Sequence, residues 1–165
     1  MAQTALRGNP VNTVGDLPAV GAQVPSFTVT GGNLADVTPA DFAGKNVVLN
    51  IFPSVDTPTC ATSVRTFNER AAGLDGTVVL CVSADLPFAQ GRFCGAEGIE
   101  NVTTGSTFRS DFGQQFGVAM ADGPLAGLLA RAVVVVDPSG KVVHSQLVAE
   151  IADEPDYDAA LGAIS

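Results

Sequence analysis

The chain has 165 residues, 17 acidic and 8 basic, a net charge of −9 and 46 % hydrophobic residues. That length suits one domain over residues 1–165 with an adequate core, and the acidity disfavours nucleic acid or anionic membrane as a partner, since both need a basic face. No stretch approaches the roughly 20 apolar residues of a membrane span, and residues 1–10 lack the apolar core of a signal peptide. A cytoplasmic protein is expected. Three cysteines, a single histidine and no Cys-x-x-Cys argue against a disulfide framework and against a conventional zinc site. The cysteines either do redox chemistry or fill the core.

Residues 1–24, rich in Gly, Pro and Asn, read as an N-terminal extension, with Val11-Asn12-Thr13-Val14 as one strand of a hairpin. Residues 26–30 alternate and suggest a strand edge, followed by a turn at Gly31-Gly32-Asn33. Thr38-Pro39-Ala40-Asp41-Phe42 has the chemistry of a short capped helix, with Gly44 as its stop. The apolar run at 47–52 predicts a buried central strand. Pro53-Ser54-Val55-Asp56-Thr57-Pro58-Thr59-Cys60 then turns the chain into a helix, whose apolar residues recur at Cys60, Val64, Phe67, Ala71 and Leu74. Thr57 can cap that helix, and Pro58 suits its first position.

Residues 77–83 predict a second buried strand. Strand, helix and strand make a parallel βαβ unit with a right-handed crossover. Asp85-Leu86-Pro87 opens a helix from Phe88 to about Cys94, ended by Gly95. Residues 102–117 are mixed, with a short helix near 110–115. Residues 129–137 and 141–148 flank the turn Pro138-Ser139-Gly140 as an antiparallel hairpin. Asp153-Glu154-Pro155 has helix-start chemistry for a terminal helix over 157–164. The expected architecture is α/β, a mixed sheet flanked by helices. The Cys60 loop then lies at the carboxyl end of a central strand, where open α/β sheets place their sites.

Cys60 falls in the first turn of its helix, where free N–H groups and the dipole favour negative charge, so it is a candidate thiolate nucleophile. A helix start supplies about 0.3–1 kcal/mol of preference for an anion. Turning an ordinary thiol mostly to thiolate at pH 7 takes about 3.4 kcal/mol, so a nearby cation is needed as well. Ionisation alone gains little, because thiolates weaken as nucleophiles when their acidity rises. Fast chemistry must also come from groups that hold the leaving atoms as charge moves onto them.

Pro53-x-x-x-Thr57-x-x-Cys60 resembles the active-site motif of the peroxiredoxins. Residues 50–55, 81–97 (CVSADLPFAQGRFCGAE) and 121–136 (ADGPLAGLLARAVVVV) are similar to the thiol peroxidase branch, the atypical two-cysteine peroxiredoxins. The similarity covers roughly residues 8–161. It implies a thioredoxin fold with an N-terminal β-hairpin extension and an inserted helix. It also implies a peroxidase that reduces hydrogen peroxide and organic hydroperoxides. In that scheme Cys60 attacks and becomes a sulfenic acid, and Cys94 resolves it as an intramolecular disulfide. Thr57, Arg131 and loop N–H groups hold the peroxide, while Pro53 shapes the pocket and shields the thiolate. The resemblance further implies recycling by thioredoxin or a similar dithiol, and a homodimer. No metal or haem is needed, because sulfur itself is oxidised. The two thiols are expected too far apart to bond in the reduced protein, with local unwinding eased by Gly91, Gly95 and Gly98.

Simpler readings stand beside these. Cys60 or Cys94 could be core thiols, and Cys81, inside an apolar strand, reads as structural. A lone arginine such as Arg131 is by default a surface ion-pair residue. His144 reads as an exposed or packed histidine and not a base. Ser83-Ala84-Asp85 hints at a hydrolase, but no Gly-x-Ser-x-Gly elbow accompanies it. Phe88, Phe93, Phe108, Phe112 and Phe116 read as core or dimer contacts, and Ala121-Asp122-Gly123-Pro124 as a turn. Two rival functions are a thioredoxin-like disulfide oxidoreductase and a non-enzymatic redox sensor.

Overall fold

The N-terminal extension is a hairpin. β1 (Gln3–Leu6) and β2 (Asn9–Asn12) pair antiparallel. Arg7 at φ +52° and Gly8 at φ +80° join them, a turn whose left-handed backbone follows the twist of the strands. The expected strand at 11–14 is cut short, because Thr13 leaves β2 to bridge Met120. The computed structural model describes residues 2–71 and 74–164. β3 (Val29–Thr30) and β4 (Asp36–Val37) form a second short antiparallel pair. A 3-10 helix follows at Pro39–Phe42, where the Asp41 carboxylate accepts from the Thr38 N–H at 2.8 Å.

β5 (Asn46–Ile51), α1 (Pro58–Ala71) and β6 (Thr77–Ser83) make the expected parallel βαβ unit. All of β5 is buried, which is why it reads as a continuous run rather than an alternation. The turn of α1 expected just beyond Ala71 falls on 72 and 73, outside the described residues. α2 (Pro87–Glu97) passes through Gly95 and stops at Gly98, whose φ of +65° lets its N–H return to the Cys94 carbonyl. A helix ends where a glycine takes the left-handed conformation, and Gly95 stays helical.

β7 (Thr103–Ser106), which the sequence pattern does not announce, runs parallel to β6. α3 (Phe112–Gln115), β8 (Ala132–Val136), β9 (Val142–Leu147) and α4 (Tyr157–Gly162) complete the chain. α4 is capped by Asp156, which accepts from the Ala159 N–H at 3.0 Å, and not by residues 153–155.

The sheet order is β4-β3-β7-β6-β5-β8-β9, with β5 held between parallel β6 and antiparallel β8. Successive residues of β5 and β8 point to opposite faces. Val48, Val133 and Val135 meet α1, α2 and α4 through Val64, Phe67, Phe93, Cys94 and Tyr157. Leu49, Ile51 and Val134 meet Phe27, Phe112 and Phe116 on the other face, where the last two rings stack at 4.2 Å. Phe112 and Phe116 are therefore core, whereas Phe88 and Phe108 are exposed. Among the described residues no helix is long and apolar enough to cross a membrane.

Candidate active site

The pairing of β5 with β8 builds the site. Ile51, the last residue of β5, lies opposite Ala132, the first of β8. The residue before β8 is Arg131, so the register delivers its guanidinium to the loop that follows β5. That loop ends in α1, whose first turn carries Cys60. Arg131 Nη2 donates to Cys60 Sγ at 3.0 Å, and its Nε donates to the Ile151 carbonyl at 2.8 Å. Both residues are buried, Cys60 at 0 % and Arg131 at 1 % exposure. Arg131 is thus no surface ion-pair residue. Nη1 is buried without an acceptor, and among the described residues no carboxylate ion-pairs with this guanidinium.

A buried cation is costly unless an anion faces it. Here the group that faces it is a sulfur. The turn that holds Cys60 is itself pinned to the sheet. Ser63 Oγ donates to the Cys60 carbonyl at 2.8 Å and accepts from Asn50 Nδ2 of β5 at 3.2 Å.

Thr57 occupies the cap position through its backbone, its carbonyl accepting from the Ala61 N–H at 3.0 Å. Its hydroxyl, however, donates to the Ser54 carbonyl at 3.1 Å. The expected side-chain cap is replaced by this local turn bond, a common alternative for threonine. Pro53, Thr57 and Arg131 line one cavity of about 650 Å³, together with Leu6, Val11 and Leu125. Cys60 does not line it; Arg131 touches both the cavity and the sulfur. The N-terminal hairpin forms part of the wall and is tied down by Thr4 Oγ1, which donates to the Val148 carbonyl at 2.8 Å. The turn at 121–124 also reaches the cavity through Gly123 and Pro124.

All three thiols are free. Cys94 is half-buried on α2 and packs on the same core face as Cys60; burial pushes its thiol up from the ordinary range. Cys81, on β6, is fully buried, and desolvation pushes it up to about 12. α1 and α2 lie side by side, joined by Arg65–Glu97 at 2.7 Å. The structure therefore unites Cys60 with Arg131 and gathers Pro53 and Thr57 at one cavity. It leaves Cys94 on the neighbouring helix, unbonded. His144 sits half-buried on β9 and does not line the cavity; burial lowers its basicity.

Sequence reasoning missed the role of Asp85. Its carboxylate accepts from Ser54 Oγ at 2.7 Å, the Val55 N–H at 2.8 Å and Ser83 Oγ at 2.7 Å. Ser83-Ala84-Asp85 is thus a brace under the Cys60 loop. The only signal was the proximity of Ser83 and Asp85 in sequence, and nothing marked Ser54 as their partner.

A family model described as Redoxin matches residues 19–161. The thiol peroxidase of Mycobacterium tuberculosis (strain H37Rv) is 64 % identical over 164 residues, 99 % of each chain. That of Corynebacterium glutamicum is 58 % identical over 165 residues, all of both chains. The crystal structure of a peroxiredoxin-like protein from Aquifex aeolicus superposes with a TM-score of 0.91 at 42 % identity, covering 98 % of this chain and 95 % of that one.

Proposed function

Because the chain belongs to the redoxin family, within its thiol peroxidases, we propose that Cys60 is the sulfur that attacks peroxide and Cys94 the one that resolves the product. The observation that carries this is the buried Arg131 guanidinium, 3.0 Å from Cys60 Sγ and without a carboxylate partner among the described residues. It sets a fixed positive charge beside the sulfur that is to react. The thiolate attacks one peroxide oxygen and the O–O bond breaks. Sulfur leaves as Cys60–S–OH and the other oxygen departs as alkoxide or hydroxide, taking up a proton. Arg131 Nη1, a buried donor with no acceptor, is suited to hold that oxygen as its charge grows. Thr57 orients the peroxide, and Pro53 closes the pocket against water.

Cys94 then attacks the sulfenic sulfur, expelling water and forming the disulfide. A thioredoxin-like dithiol reduces it and restores both thiols. The apolar lining from Leu6, Val11 and Leu125 supports organic hydroperoxides as substrates beside hydrogen peroxide. Phe88, 69 % exposed, and Leu86 beside it support a homodimer, which light scattering would test.

The decisive experiment follows peroxide consumption with a thioredoxin system for wild type, Cys60→Ser and Cys94→Ser, with peptide mapping after one equivalent of peroxide. Cys60→Ser is expected to be inactive. Cys94→Ser is expected to reach the sulfenic acid once and stall. A Cys60–Cys60 intersubunit bond, or no bond in wild type, would overturn the assignment. A sensor that hands oxidation to a partner would form the same bond without sustained turnover.

A further inference from the structure

We infer that Asp85 is the positioning residue that couples the folded state of the Cys60 loop to that of the Cys94 helix, and so sets how readily the two sulfurs meet. This rests on the Cys60–Cys94 reading. Each sulfur is engaged elsewhere, Cys60 with Arg131 and Cys94 with the core beside α1. On that reading both leave these places to bond, and Asp85 sits between the two segments, its carboxylate on the Cys60 loop and its backbone leading into α2.

On one side it takes Ser54 Oγ and the Val55 N–H, both in the loop that leads into α1. On the other it takes Ser83 Oγ, at the end of β6. Ser83 Oγ in turn accepts at 3.0 Å from Gln90 Nε2, one helical turn before Cys94. The Asp85 carbonyl also accepts from Ser106 Oγ, fixing the entry to α2 against β7. Hydrogen bonds to a carboxylate are roughly twice as strong as neutral ones.

Beyond this network α2 is held by part-buried Phe93 and Cys94, by Gln90 Nε2 donating to the Gly105 carbonyl, and by exposed ion pairs of Arg92 with Asp56 and Glu97 with Arg65. Pro87 and Gln90 are its only fully buried residues. Removing the Asp85 charge therefore loosens the loop and the helix together. The folded loop is the form that meets peroxide, and the loosened form is the one in which the sulfurs can join. Asp85 thus slows resolution and favours the first step. A long-lived sulfenic acid can also react with a second peroxide, which transfers oxygen to give a sulfinic acid and leaves as alcohol or water.

The chain has no Trp, so both steps are followed by acid quench, thiol alkylation and intact mass. In Asp85→Asn, disulfide formation after stoichiometric peroxide is expected to accelerate about tenfold, while sulfenic acid formation slows. Less sulfinic acid should accumulate at high peroxide. Ser54→Ala, which removes one arm, is expected to shift the rates the same way by about threefold, and it carries the test if Asp85→Asn does not fold. Val142→Ala, in the opposite core, destabilises the protein elsewhere and should leave the ratio of the two rates unchanged. Equal resolution rates in wild type and Ser54→Ala would overturn the coupling while leaving the cysteine roles intact, as would a shift of the same size in Val142→Ala. Absence of the Cys60–Cys94 bond in wild type would overturn both.

Discussion

Arg131 Nη2 lies 3.0 Å from Cys60 Sγ across 71 residues of chain, because β8 enters the sheet antiparallel to β5 just where β5 gives way to the Cys60 loop. The contact follows from strand register, so it is made before any substrate arrives.

Replacing Arg131 by Met keeps much of the volume and removes the charge. Losing a preorganised donor of this kind lowers turnover about 100- to 1000-fold. Stability should also fall, by about 3 kcal/mol or more, because one partner of a buried pair and the donor to the buried Ile151 carbonyl go together. Thioredoxin-coupled rates and urea unfolding of the same variant measure the two effects separately.

Thr57 gives a sharper test of the hydroxyl. Thr57→Ser keeps the oxygen and should stay within a few-fold of wild type in kcat/KM. Thr57→Val keeps the shape and loses the oxygen, and a fall of about 100-fold is expected. Equal activity in the two variants would assign Thr57 to packing.

α2 should open before α1. α1 buries Cys60, Ala61, Ser63, Val64 and Phe67, whereas α2 fully buries only Pro87 and Gln90. Local opening follows such differences in buried contact. Native-state hydrogen exchange should therefore be faster for amides 91–97 than for 61–70, and uniform protection would argue against easy release of Cys94.

The βαβ unit and the terminal hairpin were legible because 47–52, 77–83 and 132–136 are apolar runs long enough to set a strand alone. β7 was not, because Thr103-Thr104-Gly105-Ser106 has no apolar side chain. It is held by pairing with β6 and by Gln90 Nε2, which donates to the Gly105 carbonyl at 3.0 Å. The extent of α2 depended on which glycine turned left-handed, which composition does not encode. At the site, Cys60, Thr57 and Pro53 sit close together in sequence, and the family motif marked them. Arg131 needed the further resemblance over 121–136. Asp85 joins residues 54, 55 and 83 through a fold contact, and no local pattern announces it.

Cys81 should be the last thiol to react with an alkylating reagent in the native protein, because it is fully buried and ionises only near 12. Its folded value lies above the unfolded one, so the folded chain keeps a proton that the unfolded chain loses. Its contribution to stability is complete below about pH 9 and is lost as pH rises toward about 12, by at most about 1.4 kcal/mol per pH unit. Cys81→Ala should show a shallower alkaline decline in urea unfolding. An equal slope would place the alkaline loss on other groups.

The β1–β2 hairpin contributes Leu6 and Val11 to the cavity, yet supplies none of the groups that touch sulfur. That part of the cavity wall can therefore vary without touching the Arg131–Cys60 contact. Substitutions within residues 3–12 are expected to change that wall first. For the same reason, an affinity tag fused at that end risks being read as an altered appetite for peroxides.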